Sequence, residues 1–101
     1  MQPVIIPHHF PFQINDIVRI EGYGNYSRVI NTARQIFTSS WSLCRFEHLP
    51  PEFVRVHKRC IVNRRFVVGI VSAARGLLMT DGKVVVVSRR KWKSDFLKNF
   101  L

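Results

Sequence analysis

Apolar and polar residues alternate in short runs along most of this chain, and turn-forming residues separate the runs every few positions. Period-two alternation marks half-buried strands. It predicts seven of them: Ile17–Glu21, Tyr26–Asn31, Gln35–Thr38, Phe53–Val56, Phe66–Val71, Leu77–Thr80 and Lys83–Val87. In the fourth, Phe53, Arg55 and His57 fall on one face and Val54 and Val56 on the other. Between the last two, Asp81-Gly82 suits the positive φ angles of a type I′ hairpin turn, which accounts for Asp81 as a turn residue. Short strands at this spacing predict an all-β sandwich or barrel.

Two segments break the pattern. Ser40 or Ser42 can cap a short helix that presents Leu43 and Phe46, and Pro50-Pro51 stops it. From about Arg90 to Leu101, Trp92, Phe96 and Phe100 recur at four-residue spacing with Leu97 and Leu101 beside them, which predicts an amphipathic helix packed on the sheet. Arg89, Arg90 and Lys91 crowd its first turn, where the macrodipole favours acids, and a bound anion would resolve that conflict. Residues 1–12, with three prolines and two histidines, read as an arm or linker remnant. Residues 13–101 read as one domain, since a 101-residue chain with 47% hydrophobic content builds a single core.

Charge sharpens the picture. Through Glu52 the chain carries four basic and four acidic residues; from Phe53 onward it carries twelve basic and two acidic. The whole formal charge of +10 therefore sits in the second half, and the pI is near 10.9. Such asymmetry points to a polyanionic partner, nucleic acid first and an anionic membrane second. Lys58, Arg59, Arg64 and Arg65 bracket Ile61, Val62 and Asn63, which places cations at a strand edge or loop within reach of that partner. The longest weakly polar run, Phe66 to Ala74, is about half of a span of roughly 20 residues, and the start lacks the basic region of a signal peptide. A cytoplasmic location is expected. Cys44 and Cys60 read as small buried hydrophobes in a reducing compartment.

Four ordered blocks resemble the LytTR DNA-binding domain, the output module of many bacterial response regulators. Phe53-Val54-Arg55-Val56-His57-Lys58-Arg59-Cys60-Ile61-Val62-Asn63 is similar to the family core F-x-R-x-H-(K/R)-S-Y-I-V-N. Asp16-Ile17-Val18-Arg19-Ile20-Glu21 with Gly24-Asn25-Tyr26 resembles its opening, Ser42-Leu43 with Leu49-Pro50 its middle link, and Val87-Ser88-Arg89 its closing V-S-R. The chain departs from the pattern at Arg59 and Cys60, where Ser and Tyr are usual, and at Gly22, where a small apolar residue is commoner. The resemblance implies an elongated stack of short antiparallel β-sheets with one short helix and a C-terminal amphipathic helix. It implies that loops enter successive major grooves of double-stranded DNA, with promoter direct repeats as targets and a homodimer forming on DNA. Carried over by position, the reading residues are Ser27 with Asn25 and Arg28 in the first loop, Lys58 in the second, and Arg89 after the last strand; Arg59, where the family has Ser, and Arg90 and Lys91 at the helix start are further cations expected to bind DNA. The chemistry of these side chains suits DNA, because Arg and Lys donate to guanine O6 and N7, Asn pairs with adenine, and all hold phosphates.

Other residues read as structural. His57 braces the loop carrying Lys58, Asn63 satisfies nearby backbone at a turn, and Tyr23 and Tyr26 are core or cross-strand partners. Catalysis finds little support. Gly22-x-Gly24 lacks a third glycine and a following helix, His57-x-x-Cys60 lacks nearby ligands to complete a zinc site, and no acid/base carboxylate pair is visible. The expectation is a transcriptional regulator domain that binds double-stranded DNA sequence-specifically, is not an enzyme, and needs no metal, cofactor, membrane or small-molecule substrate. A basic RNA-binding β module is the alternative, which would expose aromatic residues on a sheet for base stacking. A membrane-surface adaptor would instead gather its basic residues on an amphipathic helix.

Overall fold

Eight strands build two antiparallel sheets in the computed structural model of the chain, which describes residues 11–46, 49–93 and 95–100. The first sheet holds β1 (Ile17–Tyr23), β2 (Tyr26–Asn31), β3 (Ile36–Ser39), β4 (Phe53–His57) and β5 (Cys60–Asn63) in the order β3-β2-β1-β5-β4. The second holds β6 (Val67–Val71), β7 (Gly76–Met79) and β8 (Val84–Val86) in that order. All seven expected strands are present, with ends shifted by one or two residues. An eighth, β5, occupies the stretch where the flanking cations suggest a charged edge or loop. Its four residues are all buried, so no alternation marks it.

The first sheet is the middle layer of the body. One face packs Ile17, Ile20, Val29 and Ile61 against Leu43 and Phe46 of the β3–β4 connection. The other packs Val18, Val56, Cys60 and Val62 against Leu77, Met79, Val85 and Val87 around the second sheet. Neighbours Ile17 and Val18 are both fully buried and join different cores by ordinary strand alternation, whereas Ile17 and Ile20, three positions apart, share one core because the β1–β2 register slips between Ile17 and Arg19. A one-residue irregularity moves every following side chain to the opposite face. With each fully buried aliphatic side chain contributing about 1.5–3 kcal/mol, these two layers supply most of the stabilisation.

A buried charge cluster ties the layers together. Arg19, 7% exposed, donates through Nε to Glu21 at 2.8 Å and through Nη1 to Asp81 at 2.6 Å. The Tyr23 hydroxyl donates to the other Glu21 oxygen at 2.8 Å. Burial, the largest single influence, pushes both carboxyls up, but the hydrogen bonds and charge of Arg19, together with the Tyr23 hydroxyl and the Lys83 charge on Glu21 and backbone N–H groups on Asp81, hold both below their ordinary values. Asp81 is therefore more than a turn residue. The turn type differs as well: only Gly82 has positive φ, +89°, and its N–H donates to the Met79 carbonyl at 2.9 Å. Type I′ would require Asp81 to share the left-handed region, and Asp81 does not.

The two helical expectations shrink. Residues Leu43–Arg45 form a single 3-10 turn that buries Leu43 and Phe46 as expected. The C-terminal segment is one α turn, α1 (Arg89–Trp92), followed by a 3-10 stretch at Asp95–Phe100. Its Trp, Ser, Asp, Phe and Asn residues favour helix weakly, and a helix of about twelve residues is marginal without strong formers. Contacts of Trp92, Phe96, Leu97 and Phe100 with the core set the path instead. The Ser88 hydroxyl accepts the Lys91 N–H at 3.4 Å and caps α1. Asn63, 1% exposed, donates to the Ile17 carbonyl and accepts from the Arg65 N–H, both at 3.0 Å. Most of the 1–12 arm lies outside the described residues, and its Phe12 packs on the core of Ile17, Ile20 and Leu43.

Candidate nucleic-acid interface

Antiparallel pairing puts the β1–β2 turn and the β4–β5 turn at the same end of the first sheet. Gly24, at φ +75°, and Asn25 form a two-residue turn that pairs Tyr23 with Tyr26. Lys58 and Arg59 form the other turn, and the Gly22 N–H donates to the Arg59 carbonyl at 2.8 Å. Between them lies a groove lined by Gly22, Tyr23, Gly24, Leu43, Lys58 and Arg59. Leu43 Cβ comes within 3.0 Å of where a Gly22 side chain would begin, which explains glycine at that position. The segment after β8 joins the same end, because the Ser88 N–H donates to the Val56 carbonyl at 2.8 Å and Lys91 Nζ donates to the Arg55 carbonyl.

The expected site residues do not all stand alike. Asn25, Lys58, Arg59, Arg89 and Arg90 are exposed, and among the described residues none of these four cations has an acidic partner. Arg28 is exposed too, with its guanidinium 4.9 Å over the Tyr23 ring, which stacks on Tyr26 at 5.6 Å. Ser27 is a correction. It is 0% exposed, and its hydroxyl donates to the Trp41 carbonyl at 2.9 Å, so in this structure it anchors the β3–β4 connection and is not on the surface. Lys91 is half-buried, holds Arg55 and sits 5.3 Å over the Phe96 ring, and burial followed by the Arg55 charge lowers its pKa. It is a tether before it is a phosphate clamp.

His57 braces the second turn, as its position suggests: Nδ1 accepts the Arg59 N–H at 3.1 Å. Burial, then Lys58, Arg59, Arg75 and Arg55, push the imidazole pKa down, which keeps that nitrogen unprotonated. Two further cations belong to this end beyond those the sequence points to. Arg55 donates to the His57 and Lys58 carbonyls, and Arg75, left-handed at φ 50°, donates through Nε to the Val87 carbonyl at 2.9 Å. Arg55 is visible as the third residue of the family core; Arg75 leaves no sequence signal. Cys60 is buried with its thiol pushed up to about 12, so it is no thiolate nucleophile. Among the described residues no His, Cys, Asp and Glu group could hold a metal, and no helix is long and apolar enough to cross a membrane.

Residues 8–99 match the family model described as the LytTr DNA-binding domain. The chain belongs to the LytTR family. A solved structure described as the LytTr DNA-binding domain of a putative methyl-accepting/DNA response regulator from Bacillus cereus shares its fold at a TM-score of 0.74. The two are 27% identical, over 89% of this chain and 85% of that one. No curated protein matches. LytTR membership makes this mainly β chain a DNA-binding domain of the kind found in response regulators.

Proposed function

We propose that this LytTR domain reads double-stranded DNA through three adjoining elements: the Gly24-Asn25 turn with Arg28, the Lys58-Arg59 turn, and Ser88–Lys91. The observation that carries the reading is their convergence at one end, with Lys58, Arg59, Arg89 and Arg90 unpaired by acids among the described residues. Lys58 and Arg89 reach base edges, Asn25 pairs with adenine, and Arg59 and Arg90 hold phosphates. Phosphate contacts position the body and base contacts give it sequence preference. The folded unit is 13–101, with 1–12 as an arm, acting as a cytoplasmic, non-catalytic transcriptional regulator on promoter direct repeats, where two copies bind side by side.

One observation favours a basic RNA module: Tyr23 and Tyr26 are 42% and 39% exposed on the sheet surface. They already stack on each other beneath Arg28, which leaves less ring surface for bases. Fluorescence anisotropy tests both readings with a duplex and a single-stranded RNA of one sequence. The duplex should bind more tightly, with log affinity falling against log salt by about 0.9 per phosphate contact. Arg89→Ala should cost about 1–3 kcal/mol on a preferred duplex and relax preference there, while Arg90→Ala weakens all duplexes alike. Tighter RNA binding, abolished by Tyr26→Ala, would favour the RNA module instead.

A further inference from the structure

We infer that Arg55 is the positioning residue of this interface, locking the Lys58–Arg59 turn and joining it to α1 so that the two move as one body. The inference rests on the reading of those elements as DNA-facing. Arg55 lies exposed on the edge strand β4, where a guanidinium ordinarily points into water. Here its fork turns back along the chain: Nε donates to the His57 carbonyl at 3.0 Å and Nη2 to the Lys58 carbonyl at 2.7 Å. The β4–β5 register slips between Arg55 and His57, so the turn leaves the regular ladder there and its peptide groups need other partners. They find them in side chains and a neighbouring strand. The Arg59 N–H goes to His57 Nδ1, and the Arg59 carbonyl accepts from Gly22.

The other side of β4 carries the third element. The Arg55 carbonyl accepts Lys91 Nζ, and the Val56 carbonyl accepts the Ser88 N–H. One residue thus holds the turn through its side chain and the α1 tether through its backbone. A turn ordered before binding loses little conformational freedom on the DNA, so more of each base contact appears as discrimination. Only arginine holds the turn in this way from position 55, while the carbonyl tether to Lys91 is backbone. Two donors at fixed separation match two successive carbonyls, whereas a lysine ammonium is a single point on a flexible stem.

Arg55→Lys keeps the charge and removes the fork. In the free protein, amide hydrogen exchange at Arg59 should quicken about tenfold through local opening. On DNA, discrimination between a selected duplex and one altered at the step read by Lys58 should fall about tenfold, a full unit of log affinity, with the salt slope unchanged. Coupling is read by combining Arg55→Lys with Arg89→Ala, whose effects on the selected duplex should depart from additivity by about threefold or more. Unchanged exchange at Arg59 would overturn the clamp, and strict additivity would overturn the joint movement. Arg55→Ala removes the charge as well: a salt slope reduced by one unit with discrimination and Arg59 exchange both intact would make Arg55 a plain phosphate contact and overturn the positioning role. The exchange measurement needs no DNA, so a wild-type chain with no duplex preference would sink the DNA reading while the clamp is still decided.

Discussion

Replacing Arg19 by methionine removes the cation that joins the two sheets while keeping a side chain of similar length. The side chains involved are 8%, 17% and 12% exposed for Arg19, Glu21 and Asp81. Breaking a buried ion pair from one side costs about 3–5 kcal/mol, and partial rehydration of carboxylates this close to the surface trims that to about 2–4 kcal/mol. For a chain of this size each 1 kcal/mol moves Tm by roughly 4–8 °C, so Arg19→Met should lose about 8 °C or more at pH 7. The pH dependence carries the sign. Glu21 and Asp81 are held below ordinary values of 4.5 and 3.8, so their contribution is complete above that range and disappears as pH falls through the lowered folded values. In Arg19→Met burial is opposed only by the Tyr23 hydroxyl and Lys83 on Glu21 and by backbone N–H groups on Asp81, so both carboxyls titrate higher than in wild type and the gap closes on acidification. Urea unfolding of both proteins at pH 7, 5 and 3 measures this. A loss below about 1 kcal/mol at pH 7, or a gap constant down to pH 3, would refute the cluster as the joint between layers. Arg19→Met combined with Asp81→Asn should be more stable than Arg19→Met alone.

Three further outcomes follow from the same geometry. Gly76→Ala would place a Cβ 2.5 Å from Val84 Cγ1 and 3.2 Å from the Val85 carbonyl, so it should cost about 1–3 kcal/mol in urea unfolding by forcing β7 and β8 apart. Ser27→Ala should cost about 1 kcal/mol of stability for the lost bond to Trp41, yet leave the selected DNA motif and salt slope unchanged. Arg59→Ser, which restores the residue usual in LytTR domains, should lower the salt slope by about one unit and leave the motif unchanged, whereas Lys58→Ala should alter the motif itself.

Much of the fold is legible because half-buried strands alternate, and β2 runs over the six residues its pattern marks. The misses have physical causes. In β5, Cys60-Ile61-Val62-Asn63 is covered on both faces, and cations flank it, so periodicity is silent and charge suggests a loop. The aromatic spacing after Arg89 is real, since Trp92, Phe96 and Phe100 do face the core, but it cannot reveal that weak helix formers yield to a 3-10 path. Among site residues, exposure separates Lys58, Arg59, Arg89 and Arg90 from Ser27, whose place in β2 opposite Ser39 buries it. Asp81 is half legible: Gly82 signals the turn, but an ion pair to a residue 62 positions away lies beyond any local pattern.

If the Gly24-Asn25 turn, the Lys58-Arg59 turn and Ser88–Lys91 read DNA together, this LytTR domain prefers some duplex sequences over others. In vitro selection from a random duplex library at physiological salt decides it. Enrichment of a defined motif is expected, with Lys58→Ala and Arg89→Ala each changing the bases selected at a different step and Arg90→Ala changing none. A library that stays random after repeated rounds, or enriches one motif for all four proteins alike, would contradict it.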